Sequence, residues 1–594
     1  MHLLHTTHGI LIEARRYSAR LVDGAAPHLL IQREGVPLFK LPIASGLARF
    51  GSLCEELRGI RIESLDANEQ RVLIHAAAGS ADWTARRFEW RLSEEGIEFQ
   101  HFASGSGRLG HCFFFSNGVS ETWGSPGVPG VDYQTTIHAE TVFAPRVNHG
   151  NAFYHSPTMP QNLGIHNEMP NAFFFERSMM GSYLPEQMTH LFCPPPLALA
   201  FGMGNVWGTI GIAEKPGLYL FNALDFSGSR YAGASFSVNY NGYRSLEGEF
   251  ASPVAALHFG YSEFEALEQY IAWHDASGFS TTRPFANPAW HREPIFCGWA
   301  EQTWHSQQEG VGAGELCTQE NYERWLAVLE GRGIHPGTIV LDDKWQAGYG
   351  SFDVDTRKWP DLKGFIARQH ALGRHVLLWV PSHHIEGIPE AWCVQVNGML
   401  AGADVTHPEY EAFLRGRIRE LIVAYGADGF KEDWLGGLTG EPDAVMHGAL
   451  YGLEFLRRFQ WILYDETHRC KPDALIETQT PHPLFRESSD VLRLNDIFYG
   501  TRGVTEMMRL RARIARIAGW PLVDCDNASA TTLDEWWAYT QAQPSIGIPA
   551  LYFVEKLEST FEEPTPVMWA SLAALWTQYR RDNGLEPSIL ASKE

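Results

Sequence analysis

Hydrophobic and polar residues alternate in short runs over the first 260 residues. Runs such as Gln70–His75, Arg87–Leu92 and Gly96–Phe102 place apolar side chains at every second position, and Gly, Asn, Asp and Pro stand between them. This period of two predicts strands with one buried face, and many short strands with turn signals are typical of a β-sandwich. We therefore predict a β-sandwich domain over residues 1–260. The same pattern predicts further strands at Gly9–Ala14, Gly208–Ala213 and Gly217–Phe221.

The pattern changes around residue 261. Tyr261–His274 repeats apolar residues at helical spacing, and Pro284, Pro288 and Pro294 follow. We predict a linker helix and a proline-rich boundary over residues 261–290. Before it, Asn148–Pro195 has no period, which predicts long loops that reach over a neighbouring site.

From residue 291 to 594, short apolar runs alternate with longer amphipathic segments. A helix fits between most successive runs, for example Glu411–Ile422, and a last one fits at Pro566–Arg581. Eight βα units in about 300 residues predict an α/β fold of the (β/α)8 TIM barrel type, which would follow the β-sandwich. The eight predicted strands are Ile295–Trp299, Thr338–Leu341, His375–Val380, Gly426–Phe430, Ala474–Glu477, Val491–Leu494, Pro521–Val523 and Ile548–Phe553.

Composition narrows the classes of partner. The net charge of −23 and the lack of a basic cluster argue against a nucleic-acid partner. No run of eighteen apolar residues predicts a membrane span, and the first ten residues lack the pattern of a secretory signal, so we predict a cytoplasmic protein. The eight cysteines have no C-x-x-C spacing, so neither a zinc site nor a disulfide framework is predicted. A homo-oligomer is compatible with the sequence.

Charged and aromatic residues collect where the predicted strands end. In a TIM barrel these ends form one face, where reactive side chains stand. One acid at a strand end is often a helix N-cap, but acids at four of eight ends are harder to explain that way. Carboxylates, an arginine and flat rings suit a polyhydroxylated neutral ligand. The residues concerned are Asp342, Asp343, Lys431, Asp433, Arg493, Asp496 and Asp526, with Trp299, Trp345, Trp379, His383 and Trp434 beside them.

The end of predicted strand four, Phe430-Lys-Glu-Asp433, is the most informative stretch. Side chains alternate along a strand, so Lys431 and Asp433 share one face and Glu432 takes the other. An ammonium near Asp433 would lower the pKa of its carboxyl, which suits a nucleophile. A structural ion pair at a strand end explains the same residues.

Four motifs in order, Leu341–Trp345, Asp355–Asp361, Asp404–Pro408 and Phe430–Asp433, resemble the barrel of clan D retaining α-glycosidases, which includes glycoside hydrolase families 36, 27 and 31. The Lys-x-Asp form is most similar to family 36. The resemblance implies an exo-acting α-glycosidase that needs no metal or organic cofactor. Its substrate would be an α-linked oligosaccharide or glycoside, with α-galactosides favoured. An α-glucosidase or α-xylosidase, or a galactosyl-transferring enzyme of the same clan, is the alternative.

The resemblance also implies residue roles. Asp433 is the implied nucleophile, Asp342 and Asp343 belong to the sugar subsite, and a second acid acts as acid/base. Asp496 and Asp526 compete for that last role. Strand counting favours Asp496, and Asp526 then contacts a sugar hydroxyl. Two departures from family 36 stand out in the sequence: Glu432 beside Asp433, which would be the inward acid if the register shifted, and Glu477–Pro481, without the expected cysteine and glycines.

Two other classes compete with this interpretation. The stretch Ser382–Glu386, with its two histidines, suggests a metal-dependent barrel hydrolase, but His383 and His384 point in different directions on an extended chain. A catalytically inactive carbohydrate-binding protein is the other class. The presence of every expected acid argues against it, because burying unpaired acids is costly.

Overall fold

The computed structural model describes residues 1–118, 134–145, 153–159, 161–164, 195–229, 233–284, 286–435, 443–497 and 502–585. Antiparallel strands fill its first part. They are β1 (His2–Thr6), β2 (Gly9–Glu13), β3 (Ser18–Val22), β4 (His28–Arg33), β5 (Val36–Pro42), β6 (Leu47–Arg49), β7 (Leu57–Ala67), β8 (Arg71–Ser80), β9 (Ala85–Ser93), β10 (Gly96–Phe114), β11 (Thr136–Ile137), β12 (Thr141–Phe143), β13 (Tyr154–His155), β14 (Gln161–Gly164), β15 (Ala198–Met203), β16 (Val206–Ala213), β17 (Ala223–Ser229), β18 (Gly233–Asn239), β19 (Ser245–Ala251) and β20 (Val254–Gly260).

These strands form two antiparallel sheets in the described residues. Strands β1 to β5 pair in sequence and β11 completes their sheet, while the long strand β10 lies at the centre of the second sheet. Alternation explains the burial: in β9, Phe88, Trp90 and Leu92 are buried and the residues between them are more exposed. The predicted N-terminal β-sandwich is confirmed.

One predicted strand is wrong. Gly217–Phe221 has the right alternation but pairs with no strand. Its backbone instead contacts the barrel: the amides of Gly217 and Tyr219 donate to Glu454 Oε1 at 2.7 and 3.2 Å. The Phe221 carbonyl accepts from the Leu453 amide. A local pattern cannot distinguish such contacts from strand pairing. The predicted loops of Asn148–Pro195 lie largely outside the described residues.

The second part begins with helix α1 (Glu263–Ala276), where Ser262 caps the first turn by accepting from the Glu265 amide, and this helix was predicted. Strands and helices then alternate. They are β21 (Ile295–Cys297), α2 (Trp299–Glu309), α3 (Gln319–Gly331), β22 (Thr338–Leu341), α4 (Leu362–Ala371), β23 (His375–Pro381), β24 (Cys393–Val396), β25 (Met399–Ala403), α5 (Pro408–Arg419), β26 (Gly429–Asp433), α6 (Leu453–Cys470), β27 (Leu475–Thr478), β28 (Val491–Arg493), α7 (Val504–Ile517), β29 (Val523–Asp524), α8 (Leu533–Ile546), β30 (Ala550–Leu551) and α9 (Pro566–Asp582).

Eight of these strands form one parallel sheet, in the order β29-β28-β27-β26-β23-β22-β21-β30. A parallel bridge between Asp524 and Ile548 joins the two ends of the sheet, so the barrel is nearly closed. Each strand lies within or overlaps a predicted run, and the predicted (β/α)8 barrel is confirmed. Strands β24 and β25 form a separate hairpin after the third barrel strand. Within the described residues, no helix is long and apolar enough to cross a membrane.

Strand β26 begins three residues later than predicted, because Gly426 adopts φ 89° and ends the turn that follows α5. Gly429 then opens the strand at φ 144°, where a Cβ would overlap the Leu475 carbonyl of the neighbouring strand. Glycine at this position therefore allows the strand that carries Asp433 to pair closely with β27.

We expect Gly429→Ala to lower the free energy of unfolding by about 2 kcal/mol or more, because both the dihedral angle and the Leu475 contact oppose a side chain. Urea denaturation followed by intrinsic tryptophan fluorescence measures this loss. Gly416→Ala in α5 is the control, since nothing lies within 4 Å of its Cβ position, and it should be neutral or slightly stabilising. Equal stability of the two variants would show that the close pairing of β26 with β27 does not require glycine at position 429.

Candidate active site

The C-terminal ends of the eight barrel strands define the mouth, and Arg493 lies at its centre. Its Nη1 is 3.4 Å from Asp433 Oδ2, its Nη2 is 3.6 Å from Asp496 Oδ1, and its Nε is 3.1 Å from Asp526 Oδ2. The guanidinium is almost fully buried. Three carboxylates from strand ends four, six and seven therefore converge on one cation, as the strand-end analysis predicted for a common face.

Asp433 is held by donors on three sides. Trp379 Nε1 donates to Oδ2 at 3.1 Å, and Gln479 Nε2 and the Trp434 amide donate to Oδ1 at 3.0 and 2.9 Å. Burial opposes ionisation, but the charges of Arg493 and Lys431 and these hydrogen bonds outweigh it and lower the pKa of Asp433. The carboxyl is therefore ionised and oriented.

Lys431 reaches into the barrel on the same face as Asp433, as alternation predicts, yet its ion pair is with Asp342. Its Nζ lies 2.7 Å from Asp342 Oδ2 and 5.0 Å from the centre of the Tyr552 ring. Burial and Arg493 disfavour the ammonium, but Asp342, Cys297 and Asp526 together outweigh them, so the pKa of Lys431 is raised. Cys297 Sγ also donates to Asp342 Oδ2, at 2.9 Å. Lys431 thus holds the Asp342 carboxylate in place, and its positive charge acts on Asp433 electrostatically.

We expect Lys431→Met to move the acidic limb of the kcat/KM profile to higher pH. The pKa of Asp433 is lowered in part by this ammonium, so its loss lets the carboxyl take up a proton at higher pH. Profiles of kcat/KM between pH 3 and 8 measure the shift. Lys344→Met is the matched control, because the Lys344 ammonium pairs with Glu386 at 2.6 Å. The same acidic limb in both variants would show that Lys431 does not act on Asp433.

Asp343 and a set of rings line the next part of the mouth. Tyr349 donates to Asp343 Oδ1 at 2.6 Å, and its ring lies 4.7 Å from His384 and 5.1 Å from Trp434 between ring centres. Trp434 in turn meets Trp379 edge to face at 5.0 Å. Burial raises the pKa of Asp343 to about 7. Sequence reasoning missed Tyr349, because it follows strand two by eight residues and carries no strand-end signal.

Asp496 and Asp526 differ in exposure. The Asp496 side chain is 30% exposed, and burial together with the charges of Asp526 and Asp433 raises its pKa well above the ordinary value. The Asp526 side chain is fully buried and accepts from Tyr552 and Arg493 at 2.8 and 3.2 Å. Despite burial, Arg493 and Lys431 lower the pKa of Asp526 to about 2. One acid is thus accessible and has a raised pKa, and the other is an internal counter-ion.

Two of the predicted binding residues, Trp345 and His383, lie away from this cluster. Trp345 is fully buried, and its Nε1 donates to the Trp379 carbonyl at 2.7 Å, so it supports the chain behind the mouth. His383 is buried against Phe455, with ring centres 4.8 Å apart, and burial lowers its pKa to about 3. Trp299 is half-buried as the first residue of α2. Of the adjacent histidines, His384 is therefore the one beside the mouth.

Among the described residues, Glu301, His305 and Glu555 form the group with metal-ligand geometry, since their ligand atoms lie within 4.8 Å of one another. Internal contacts already occupy the ligand atoms of Glu301 and His305. His305 Nε2 lies 3.1 Å from Glu301 Oε1, and the amides of Val554 and Glu555 donate to Glu301 Oε2. None of the three residues contacts the Arg493 cluster, so the group joins α2 to the segment after β30.

Comparison with known sequences gives one partial match. No protein-family model matches the chain. The myogenesis-regulating glycosidase of Mus musculus is 25% identical over an alignment of 161 residues, and the match covers 24% of this chain and 21% of that protein. The match therefore spans about a fifth of the length of this relative.

Solved structures match nearly the whole chain. A GH31 family sulfoquinovosidase from E. rectale has a TM-score of 0.58 and 11% identity, and the match covers 96% of this chain and 82% of that one. The α-galactosidase from Lactobacillus brevis has a TM-score of 0.50 and 10% identity, and the match covers 96% of this chain and 83% of that one. A GH31 α-xylosidase from a soil metagenome has a TM-score of 0.50 and 11% identity, and the match covers 98% of this chain and 84% of that one. The chain therefore has the fold of these α-glycosidases.

Proposed function

We propose that this protein is a retaining, exo-acting α-glycosidase of clan D that hydrolyses α-linked sugars through a two-carboxylate double displacement. The observation that carries the proposal is that two acids lie on one guanidinium, 3.4 and 3.6 Å from it, and that the pKa of Asp433 is lowered while that of Asp496 is raised. When the environments of two neighbouring carboxyls shift their pKa values in opposite directions, the acid with the lower pKa suits the nucleophile role and the other suits the general-acid role. The likeness to solved α-glycosidases supports the same reaction class.

In the first step, the Asp433 carboxylate attacks the anomeric carbon, and Asp496 gives its proton to the leaving oxygen. A covalent glycosyl-enzyme forms and the aglycone departs. In the second step, the Asp496 carboxylate takes a proton from water, which attacks the anomeric carbon and releases Asp433. Positive charge develops on the sugar in both transition states, and the negative charge of the Asp433 carboxylate, which is bonding to or leaving the anomeric carbon, stabilises it. The buried Asp526 carboxylate pairs with the Arg493 guanidinium and holds it in place.

Around this centre, we assign the sugar subsite to Asp342 and Asp343, which are fixed by Lys431 and Tyr349, and its apolar wall to Trp379 and Trp434. An α-galactoside is the favoured substrate, on the Lys-x-Asp motif and the likeness to an α-galactosidase. Relatives of the same fold act on other sugars, so an α-glucosidase, an α-xylosidase or a transferase of the clan is the alternative. Similarity to family 36, the domain bounds, the cytoplasmic location and a homo-oligomer stay predictions.

A panel of aryl α-glycosides tests the function directly. We expect turnover with retention of the anomeric configuration, the highest kcat/KM on the α-galactoside, and the same rates with and without a chelator. Nuclear magnetic resonance of the first-formed sugar measures the stereochemistry. Sugar binding without turnover of any glycoside would favour the carbohydrate-binding class instead. Loss of activity with the chelator would favour the metal-dependent class.

A further inference from the structure

Glu432 is the acid next to the proposed nucleophile that the mechanism does not use. It is fully buried, and alternation along β26 turns it away from the mouth, towards helix α6. The register is therefore not shifted, and Glu432 is not the inward acid. A buried carboxyl one residue from Asp433 needs a physical reason, because leaving such a group unpaired is costly.

Two neutral groups bind the Glu432 carboxyl. The Ser382 hydroxyl donates to Oε1 at 2.8 Å, and Gln460 Nε2 donates to Oε2 at 2.5 Å. The direction of the Gln460 amide is fixed, because its Oε1 accepts from Thr480 and Ser488. A hydroxyl can reverse its role, so Ser382 is able to accept the proton of a neutral acid.

No described lysine, arginine or charged histidine forms an ion pair with Glu432. The charged group that acts on it is Asp433, which is negative, and His383 beside Ser382 is neutral because burial lowers its pKa to about 3. Burial first, and then the charge of Asp433, raise the pKa of Glu432 to about 8, although both hydrogen bonds oppose this. Glu432 is thus a neutral carboxylic acid at pH 7.

The same neighbours hold the backbone of Asp433. In the parallel ladder, Val380 pairs with Glu432 and Pro381 with Asp433, but Pro381 has no amide hydrogen to donate. The Ser382 amide donates to the Asp433 carbonyl at 3.0 Å, while its hydroxyl bonds Glu432. Ser382 therefore contacts two successive residues of β26 at the point where the strand ends.

We propose that Glu432 is a positioning residue that works as a neutral acid, joining the ends of strands β23 and β26 to helix α6 and so fixing Asp433 for attack. The inference rests on the proposed glycosidase function. Ionisation of Glu432 would place a second negative charge beside Asp433 without a cation to balance it. Activity then falls at alkaline pH through Glu432, independently of the acid/base.

The test uses a substrate whose leaving group needs no proton, such as an α-glycosyl fluoride, so that Asp496 does not set the alkaline limb of kcat/KM. Wild-type kcat/KM should fall above about pH 8, by about tenfold per pH unit. Glu432→Gln preserves both hydrogen bonds without an ionisable group, so its profile should stay flat and its value at pH 6 should stay within about threefold. Glu432→Ala should lose more than about tenfold at every pH.

Thermal unfolding supplies a measurement that needs no substrate. The folded-state pKa of Glu432 lies above the unfolded value, so its contribution to stability is full at acidic pH and is lost as pH rises towards 8. The Tm of Glu432→Gln minus that of wild type should therefore grow between pH 5 and 8 and stay constant above. Ser382→Ala, which keeps the backbone contact, should lower kcat/KM less than Glu432→Ala does.

Three outcomes would overturn the proposal: a Tm difference that does not change with pH, an alkaline limb shared by wild type and Glu432→Gln, or equal losses in Glu432→Gln and Glu432→Ala at pH 6. A wild-type protein that turns over no α-glycoside contradicts the proposed function instead. The Tm measurements then decide alone on the neutral state of Glu432.

Discussion

Asp433→Asn is expected to lower kcat/KM on an aryl α-glycoside by about four orders of magnitude or more, because the amide cannot form the covalent bond to the anomeric carbon. The fold should survive. The side chain lies at the mouth, where it is partly exposed, and the single amide oxygen of asparagine can still accept from Trp379 or from Gln479, which donate to different oxygens of Asp433. Steady-state kinetics measure the loss, and the circular dichroism spectrum and Tm check the fold.

A covalent label locates the nucleophile independently. An activated fluoro-glycosyl fluoride should accumulate as a glycosyl-enzyme, and mass spectrometry of the digest should find the sugar on a peptide with Asp433. Glu432→Gln is the matched control, because it removes the adjacent carboxyl group that could otherwise take the label, and it should still be labelled at Asp433. A label on Glu432, or a near-normal rate in Asp433→Asn, would refute the assignment of the nucleophile.

The second large effect separates Asp496 from Asp526. With a poor leaving group, Asp496→Ala should lose about 10² to 10⁴ in kcat/KM, the usual contribution of a general acid. With a leaving group that needs no proton, most of this loss should disappear, and azide should restore turnover and form an α-glycosyl azide. The exposed side chain of Asp496 leaves room for azide once it is removed.

Asp526→Ala should behave differently, because Asp526 is buried under Arg493 and Tyr552. Removing it leaves the guanidinium without its nearest carboxylate, so KM should rise with every leaving group and azide should have no effect. Rescue of Asp526→Ala by azide, without rescue of Asp496→Ala, would exchange the two roles.

The barrel could be predicted because each of its strands is a short apolar run, which is visible in the local sequence. The acids of the mouth could be predicted for the same reason, since Asp342, Asp433 and Asp496 stand at or just after strand ends. Gln479 and Tyr349 were missed. Their roles depend on which side chains meet across strands and loops, and neither residue type signals that at its position.

Side chains just after the barrel strands depart from the alternation of the strands for a common physical reason. His383, Trp434 and Asp526 follow barrel strands and have positive φ angles of 51°, 49° and 54°. Such angles are uncommon for residues other than glycine, and they end the alternation that strands impose. The sequence does not reveal these φ angles. His383 was therefore predicted at the mouth but lies behind the mouth, while His384 lies beside the mouth.

The acids around Arg493 differ in how they affect resistance to heat. The folded state disfavours the charge of Asp496 and so raises its pKa, and this preference weakens folding as the pH rises above the ordinary pKa of an aspartate. An asparagine there would remove that penalty together with the acid. The proposed catalytic centre therefore contains one acid that weakens the fold at neutral pH, and the variant Asp496→Asn, which lacks this acid, is expected to unfold at a higher temperature than its parent.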